Sequence, residues 1–248
     1  MEYQIFPGSV FLQASFYGLA ALITIAAGVL LKSAARNCGD APHLARSLQR
    51  RYWAGAAMWL GAVSAASYSG ALLPRGGPPL PFVLLVAGIF VAGILIARSR
   101  IGDRFARGLP LAVLVGFQGF RFPLELAMHR AQIEGLMPVQ MSYSGRNFDI
   151  LTGITAIVLG AALVVTPLPR WIVQVWNVFG LVLLANILAV AIASTPIFQY
   201  FGPDRVNVFV MWMPYTLLPA VMVLAAWAGH LIVFRAVSLR AAARPDLR

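Results

Sequence analysis

Apolar residues in this chain fall into continuous runs rather than into alternating or single-faced stripes. Seven runs, at about 9–32, 52–73, 80–97, 108–130, 148–167, 171–194 and 207–234, are separated by short polar or turn-forming stretches. Runs of roughly 18 to 28 residues, rising ~1.5 Å per residue, are long enough to cross a hydrocarbon core of ~30 Å as helices. Continuity rather than period two argues against a β-barrel. The expected fold is all-α: one polytopic domain, 1–248, of seven transmembrane helices. Turn chemistry marks the boundaries, with "PRGGPP" at 74–79, "TPLPR" at 166–170, "STP" at 194–196 and "FGP" at 201–203.

Composition strengthens this reading. Of 248 residues, 60% are hydrophobic and 11% charged; a soluble domain carries about twice that charged fraction. The net charge of +11 does not point to nucleic acid, because membrane proteins collect Lys and Arg in cytoplasmic loops. Lys32, Arg36, Arg46, Arg50, Arg51, Arg98, Arg100, Arg104, Arg107, Arg170, Arg235, Arg240, Arg244 and Arg248 fall on one side of the runs. Only Arg75, Arg130, Arg146 and Arg205 fall on the other. That asymmetry predicts an outside N-terminus and an inside C-terminus. The start "MEYQIFPGS" lacks the basic residue of a signal-peptide leader and is expected to be retained. The basic tail "RAVSLRAAARPDLR" is expected against anionic headgroups. Cys38, the single cysteine, leaves neither an intrachain disulfide nor a cysteine metal site.

The fourth run contains the costly residues. In "QGFRFPLELAMHRAQ" (118–132) an arginine, a glutamate and a histidine interrupt apolar sequence. At ~100° per residue, Arg121, Glu125, Gln118 and His129 share a stripe about 80° wide. Such a stripe faces a bundle interior or a watery cavity, not lipid. The spacing i, i+4 predicts that Arg121 pairs with Glu125 and sets Glu125 beside His129. Pro123, preceded by Gly116 and Gly119, predicts a kink.

The run ends on the outer side, followed by the longest outer loop, 131–149, which is expected to fold over the site. It closes with Arg146, Asn147 and Asp149. Asn147 or Ser144 suits a helix N-cap, and Asp149 the positive end of the next helix dipole. Thr152, Gly153, Ala156 and Gly160 form a small-residue seam for close packing. Asn186, Tyr215, Asn207, Gln13, Tyr17, Tyr68 and Ser69 lie at the same depth as further candidates, while Trp212 suits an interfacial belt. His230, near the inner end of the last run, is placed about 30 Å from His129 and outside the site. Asn177 goes with the inner half too, and His43 with solvent.

These placements exclude several chemistries. The only lysine is Lys32, in the first run, so a retinal Schiff base in the last span has no partner. No two histidines match in depth for a bis-histidine haem, and the last run lacks an i, i+4 histidine pair for zinc. No cofactor is predicted. Glu125, His129 and Asp149 are the one candidate zinc set, and an adjacent Arg121 opposes a metal.

The stretches "FRFPLELAMHR", "GRNFDILTG" (145–153) and "WNVFGLVLLANI" (176–187) resemble an uncharacterised family of bacterial integral membrane proteins. The resemblance covers residues 117 to 235. It implies a multi-pass protein of the bacterial inner membrane and no activity. Three functions stay open. One is binding or transport of a small molecule, anionic ones included, in a polar pocket open to the periplasm, with proton exchange. The others are an intramembrane, metal-assisted lipid hydrolase, and a structural subunit with membrane partners or further copies of itself.

Overall fold

The structure is a computed structural model and describes residues 7–74 and 78–242. Part of the turn at 74–79, the first six residues and the tail beyond Ala242, with Arg244 and Arg248, lie outside the described residues. The described residues are mostly helical and form no strand: α1 (Val10–Asn37), α2 (Pro42–Tyr68), α3 (Leu80–Arg98), α4 (Arg100–Gly108), α5 (Leu111–Phe117), α6 (Arg121–Ile133), α7 (Ile150–Val165), α8 (Arg170–Ala193) and α9 (Leu224–Ala242). A 3-10 turn, Gln118–Phe120, joins α5 to α6, and a π-helical turn, Leu218–Val223, leads into α9.

Among the described residues five stretches are long and apolar enough to cross a membrane: Val10–Asn37, Leu80–Arg98, Leu111–Ile133, Arg170–Ala193 and Leu218–Ala242. Their outward faces carry large apolar residues, among them Phe11, Leu22, Leu84, Leu95 and Val182, an arrangement suited to lipid rather than water. Two of the seven expected runs fall short of this measure. α7 is apolar but has 16 residues. α2 starts ten residues before the expected 52, so its first half carries Arg46, Arg50 and Arg51.

Two further boundaries differ from expectation. Residues 100–108, expected as loop, form α4, with Ser99 as N-cap accepting from the Ile101 and Gly102 N–H groups at 3.1 and 3.3 Å. The last helical run begins at Leu218, not 207. Residues 207–217 are apolar but instead form a compact segment whose Phe209, Met211 and Tyr215 pack on Phe16 and Leu12.

The basic side chains gather where α1, α3 and α9 end and α2 and α4 begin. Arg104 binds Asp40 through Nε and Nη2 at 2.7 and 2.8 Å. Arg235 donates to the Ala97 carbonyl (2.7 Å) and Asp103 (2.5 Å). Arg240 donates to the Ala106 and Leu109 carbonyls. These bonds supply donors to carbonyls that helix ends leave without partners. Two apolar clusters stack along the bundle. One, around Phe16, Met128, Met211 and Met222, lies away from the basic end. The other, around Leu31, Phe105, Val115 and Val233, lies next to it. A layer of polar side chains separates them.

Candidate functional site

The break between α5 and α6 falls one turn ahead of Pro123, and Arg121 opens the second half. Arg121 and Glu125 are each 1% exposed, as the stripe requires. The expected Arg121–Glu125 pair is not formed. Arg121 instead binds Asp149 with two nitrogens, Nε to Oδ2 at 2.5 Å and Nη2 to Oδ1. The carboxylate at the start of α7 presents both oxygens to the guanidinium fork, and such bidentate pairing is favoured. Glu125 accepts from Asn147 Nδ2 at 2.7 Å.

His230, expected far from this level, is part of the layer. Arg121 Nη1 and His230 Nε2 are 2.9 Å apart. A guanidinium only donates, so Nε2 accepts and the ring proton sits on Nδ1. Nδ1 then donates to Asn177 Oδ1 at 2.7 Å, while Asn177 Nδ2 returns a bond to the His230 carbonyl at 3.0 Å. The misplacement follows from the late start of the last helix. From Leu218, His230 is only about 18 Å along it, which is mid-bundle. Asn177 meets it there from α8.

Two glycines make this packing achievable. A Cβ on Gly153 of α7 would lie 2.3 Å from the Phe122 nitrogen, and one on Gly180 of α8 would lie 2.5 Å from His230 Cε1. The small-residue seam of Thr152, Gly153, Ala156 and Gly160 is buried, and it carries α7 against α5 and α6.

Asn147 is the hinge of the arrangement, but it does not cap α7 with its side chain in the expected way. Its Oδ1 accepts the Asp149 N–H at 3.0 Å, and its Nδ2 also donates to the Met141 carbonyl at 3.1 Å. Asp149 occupies the N-cap position with its carboxylate turned to Arg121 and, at 3.4 Å, to Thr152 Oγ1. Gln118 Nε2 donates weakly to the Ala226 carbonyl at 3.4 Å, and its buried Oε1 has no partner among the described residues.

Other expected residues lie apart. His129 turns to the loop, with Nδ1 2.9 Å from Ser142 Oγ and its ring stacked on Tyr143 at 4.4 Å. Tyr215 donates to the Pro7 carbonyl at 2.7 Å in the apolar cluster away from the basic end. Asn186 ties α8 to the loop through the Arg146 carbonyl at 2.8 Å. The loop itself packs over the site as expected: Met137, Gln140, Met141 and Ser142 are buried, and Gln140 Nε2 binds Ser194 Oγ and the Arg205 carbonyl. The Glu125, His129 and Asp149 set is not assembled. Among the described residues no group of three or more His, Cys, Asp and Glu is placed to hold a metal ion.

Beside the polar layer lies a cavity of about 110 Å³. Glu125, Asp149 and Arg121 form one wall, and Leu184, Leu188, Met222 and Ile89 an apolar wall. Asn207 and Thr195 also line it, Asn207 with a buried Oδ1 that has no partner among the described residues. That volume holds several waters or a small organic group. Comparison with known proteins gives no matching family model, no matching curated protein and no matching solved structure.

Proposed function

We propose that the chain is a seven-span bacterial inner-membrane protein, N-terminus outside and C-terminus inside, that binds or carries a small molecule with proton exchange at Glu125. α2 and α7 supply the two spans beyond the five apolar ones. The side assignment rests on the Lys and Arg asymmetry, and the bacterial membrane on the likeness of residues 117–235. A C-terminal fluorescent fusion that stays dark while a phosphatase fusion is active in the periplasm would refute the orientation.

The observation that carries the reading is Glu125: 1% exposed, on the cavity wall, with Asn147 as its one hydrogen-bond donor among the described residues. Arg121 is neutralised by Asp149 and His230 is neutral by its tautomer. The layer therefore sums to one negative charge when Glu125 is ionised. Burying that charge without a counter-ion is costly, so the site favours a proton or the cationic end of a small apolar molecule. An anionic ligand loses its support, because the cation it needs is already held.

The test uses n-butylamine and butyrate as probes on purified protein. Butylammonium raises the melting temperature of the wild type, butyrate does not, and Glu125→Gln abolishes the effect while keeping the fold. Stabilisation by butyrate alone would sink the reading. A structural reading is favoured by one observation: the Arg121–Asp149–His230–Asn177 chain binds α6, α7, α9 and α8 together. Glu125 stands outside that chain, so the two readings concern different residues.

A further inference from the structure

A second cavity, of about 360 Å³, lies near the basic end between α1, α2, α3, α5 and α9. Its wall is almost wholly apolar, with Ala27, Ala56, Phe105, Leu114 and Ala228 among its residues. The few polar groups on it are mostly satisfied. Tyr52 Oη donates to the Thr24 carbonyl at 2.6 Å, Thr24 Oγ1 to the Ala20 carbonyl at 2.8 Å, and Trp59 Nε1 to the Ala220 carbonyl at 2.9 Å. Arg51 is the exception. It is exposed, lines the cavity, and has no hydrogen bond or ion pair among the described residues. Arg50 is exposed beside it and Arg46 one turn earlier.

The cavity exists because α2 stands off from the bundle. α2 packs along α1 while α3 packs along α9, and of its 27 residues only Leu48, Val63 and Ser67 are buried. An unfilled recess of this size leaves its apolar lining without packing partners, and water finds too few polar partners on such a wall. In a bilayer the available filler is hydrocarbon. The one unpartnered charge at the wall is a cation, and it sits where basic residues collect.

We propose that this cavity holds one acyl chain of an anionic phospholipid, with its phosphate at Arg51. The tail is retained by burial of apolar surface, and the headgroup is selected by charge, as basic pockets between spans select anionic lipid. The site is separate from the Glu125 cavity and does not depend on its function.

Trp59 reports on occupancy. The protein in mixed micelles is titrated with phosphatidylglycerol or phosphatidylcholine brominated on the acyl chain. The Trp59 signal is taken as the difference between wild type and Trp59→Phe. Brominated phosphatidylglycerol is expected to quench Trp59 at a roughly fivefold lower mole fraction than phosphatidylcholine. Arg51→Gln, an exchange at an exposed position that leaves the core untouched, removes the preference. Ala56→Phe fills the cavity and removes the quenching by both. Equal quenching by the two lipids in the wild type, or a preference that survives Arg51→Gln, overturns the proposal. So does displacement of phosphatidylglycerol by oleate at lower concentration, which would make the occupant a free fatty acid.

Discussion

Exchanging Asp149 for Asn should damage the protein more than exchanging Asp149 and Arg121 together. Arg121 is 1% exposed and spends two of its nitrogens on this carboxylate. Removing one partner leaves a guanidinium buried without its counter-charge, a loss of about 3–5 kcal/mol. Arg121→Gln leaves Asp149, 4% exposed, with only Thr152 as a side-chain donor, and His230 without a donor at Nε2. Its cost falls in the same range. The double exchange Arg121→Gln with Asp149→Asn removes both charges and leaves neutral amides. It forfeits hydrogen bonds at about 1 kcal/mol each, so it should be milder than either single, with a coupling of ~3 kcal/mol or more. Glu125→Gln keeps an acceptor for Asn147 Nδ2 and should cost about 1 kcal/mol or less. Its coupling to Arg121→Gln should be correspondingly small. Unfolding of the purified variants in mixed micelles, by SDS titration and by heat, measures both cycles. Additive Arg121 and Asp149 exchanges, or a large coupling between Arg121 and Glu125, would show that the arginine is held by something other than Asp149.

Gly153→Ala should separate α7 from α6, since the new methyl has backbone at 2.3 Å; a loss of about 1–3 kcal/mol is read as a lower melting temperature, and unchanged melting would refute the close approach. At the N-terminal end of α1, the Glu134 carboxyl is held below its usual range by the Ser9 hydroxyl at 2.6 Å, then by the Ser9 N–H and Arg130. A folded value below the unfolded one contributes stability that is full above the unfolded carboxylate range and is lost as pH falls through the folded value. The acid-side fall in melting temperature should therefore be shallower in Glu134→Gln. Amide hydrogens of Met141, Ser142 and Asn147 should exchange slowly, because these residues are buried and their N–H groups are bonded within the loop; fast exchange at all three would mean the loop does not cover the site.

Periodicity was enough to place the stripe. Charge in an apolar helix has a large transfer cost, so Arg121, Glu125 and Gln118 turn inward whatever their partners are. The partners were less legible. Spacing i, i+4 offers Glu125 to Arg121 locally, yet a carboxylate 28 residues on wins by presenting two oxygens, and nothing along one helix reveals that. His230 was hidden by a different effect. Hydropathy registers the cost of leaving water, and residues 207–217 are as apolar as a span. They meet that cost by packing on α1 instead of by helix formation. Counting depth from 207 pushed His230 to the far end of the helix, when it belongs beside Arg121. α4 was concealed in the opposite way, because Arg100, Asp103, Arg104 and Arg107 read as loop while Gly102, Phe105 and Ala106 bury its other face.

The polar layer divides into a part that is already complete and a part that is not. Arg121, Asp149, His230 and Asn177 satisfy one another, and a closed set of this kind fixes helices without needing a ligand. Glu125 has one donor among the described residues and a cavity beside it. The two parts meet at Asn147, whose amide holds Glu125, the Met141 carbonyl and the Asp149 N–H at once. No spare donor exists on that amide to follow a change at Glu125. A proton or cation arriving at Glu125 weakens its claim on Asn147 Nδ2, and the weakened bond belongs to the same side chain that anchors the loop at Met141. The loop over the site and the acid beneath it are thus joined through one residue. That is why slow exchange in the loop and the response of Glu125 to butylammonium should change together when Glu125 becomes Gln, whereas the Arg121–Asp149 cycle should leave their relation intact.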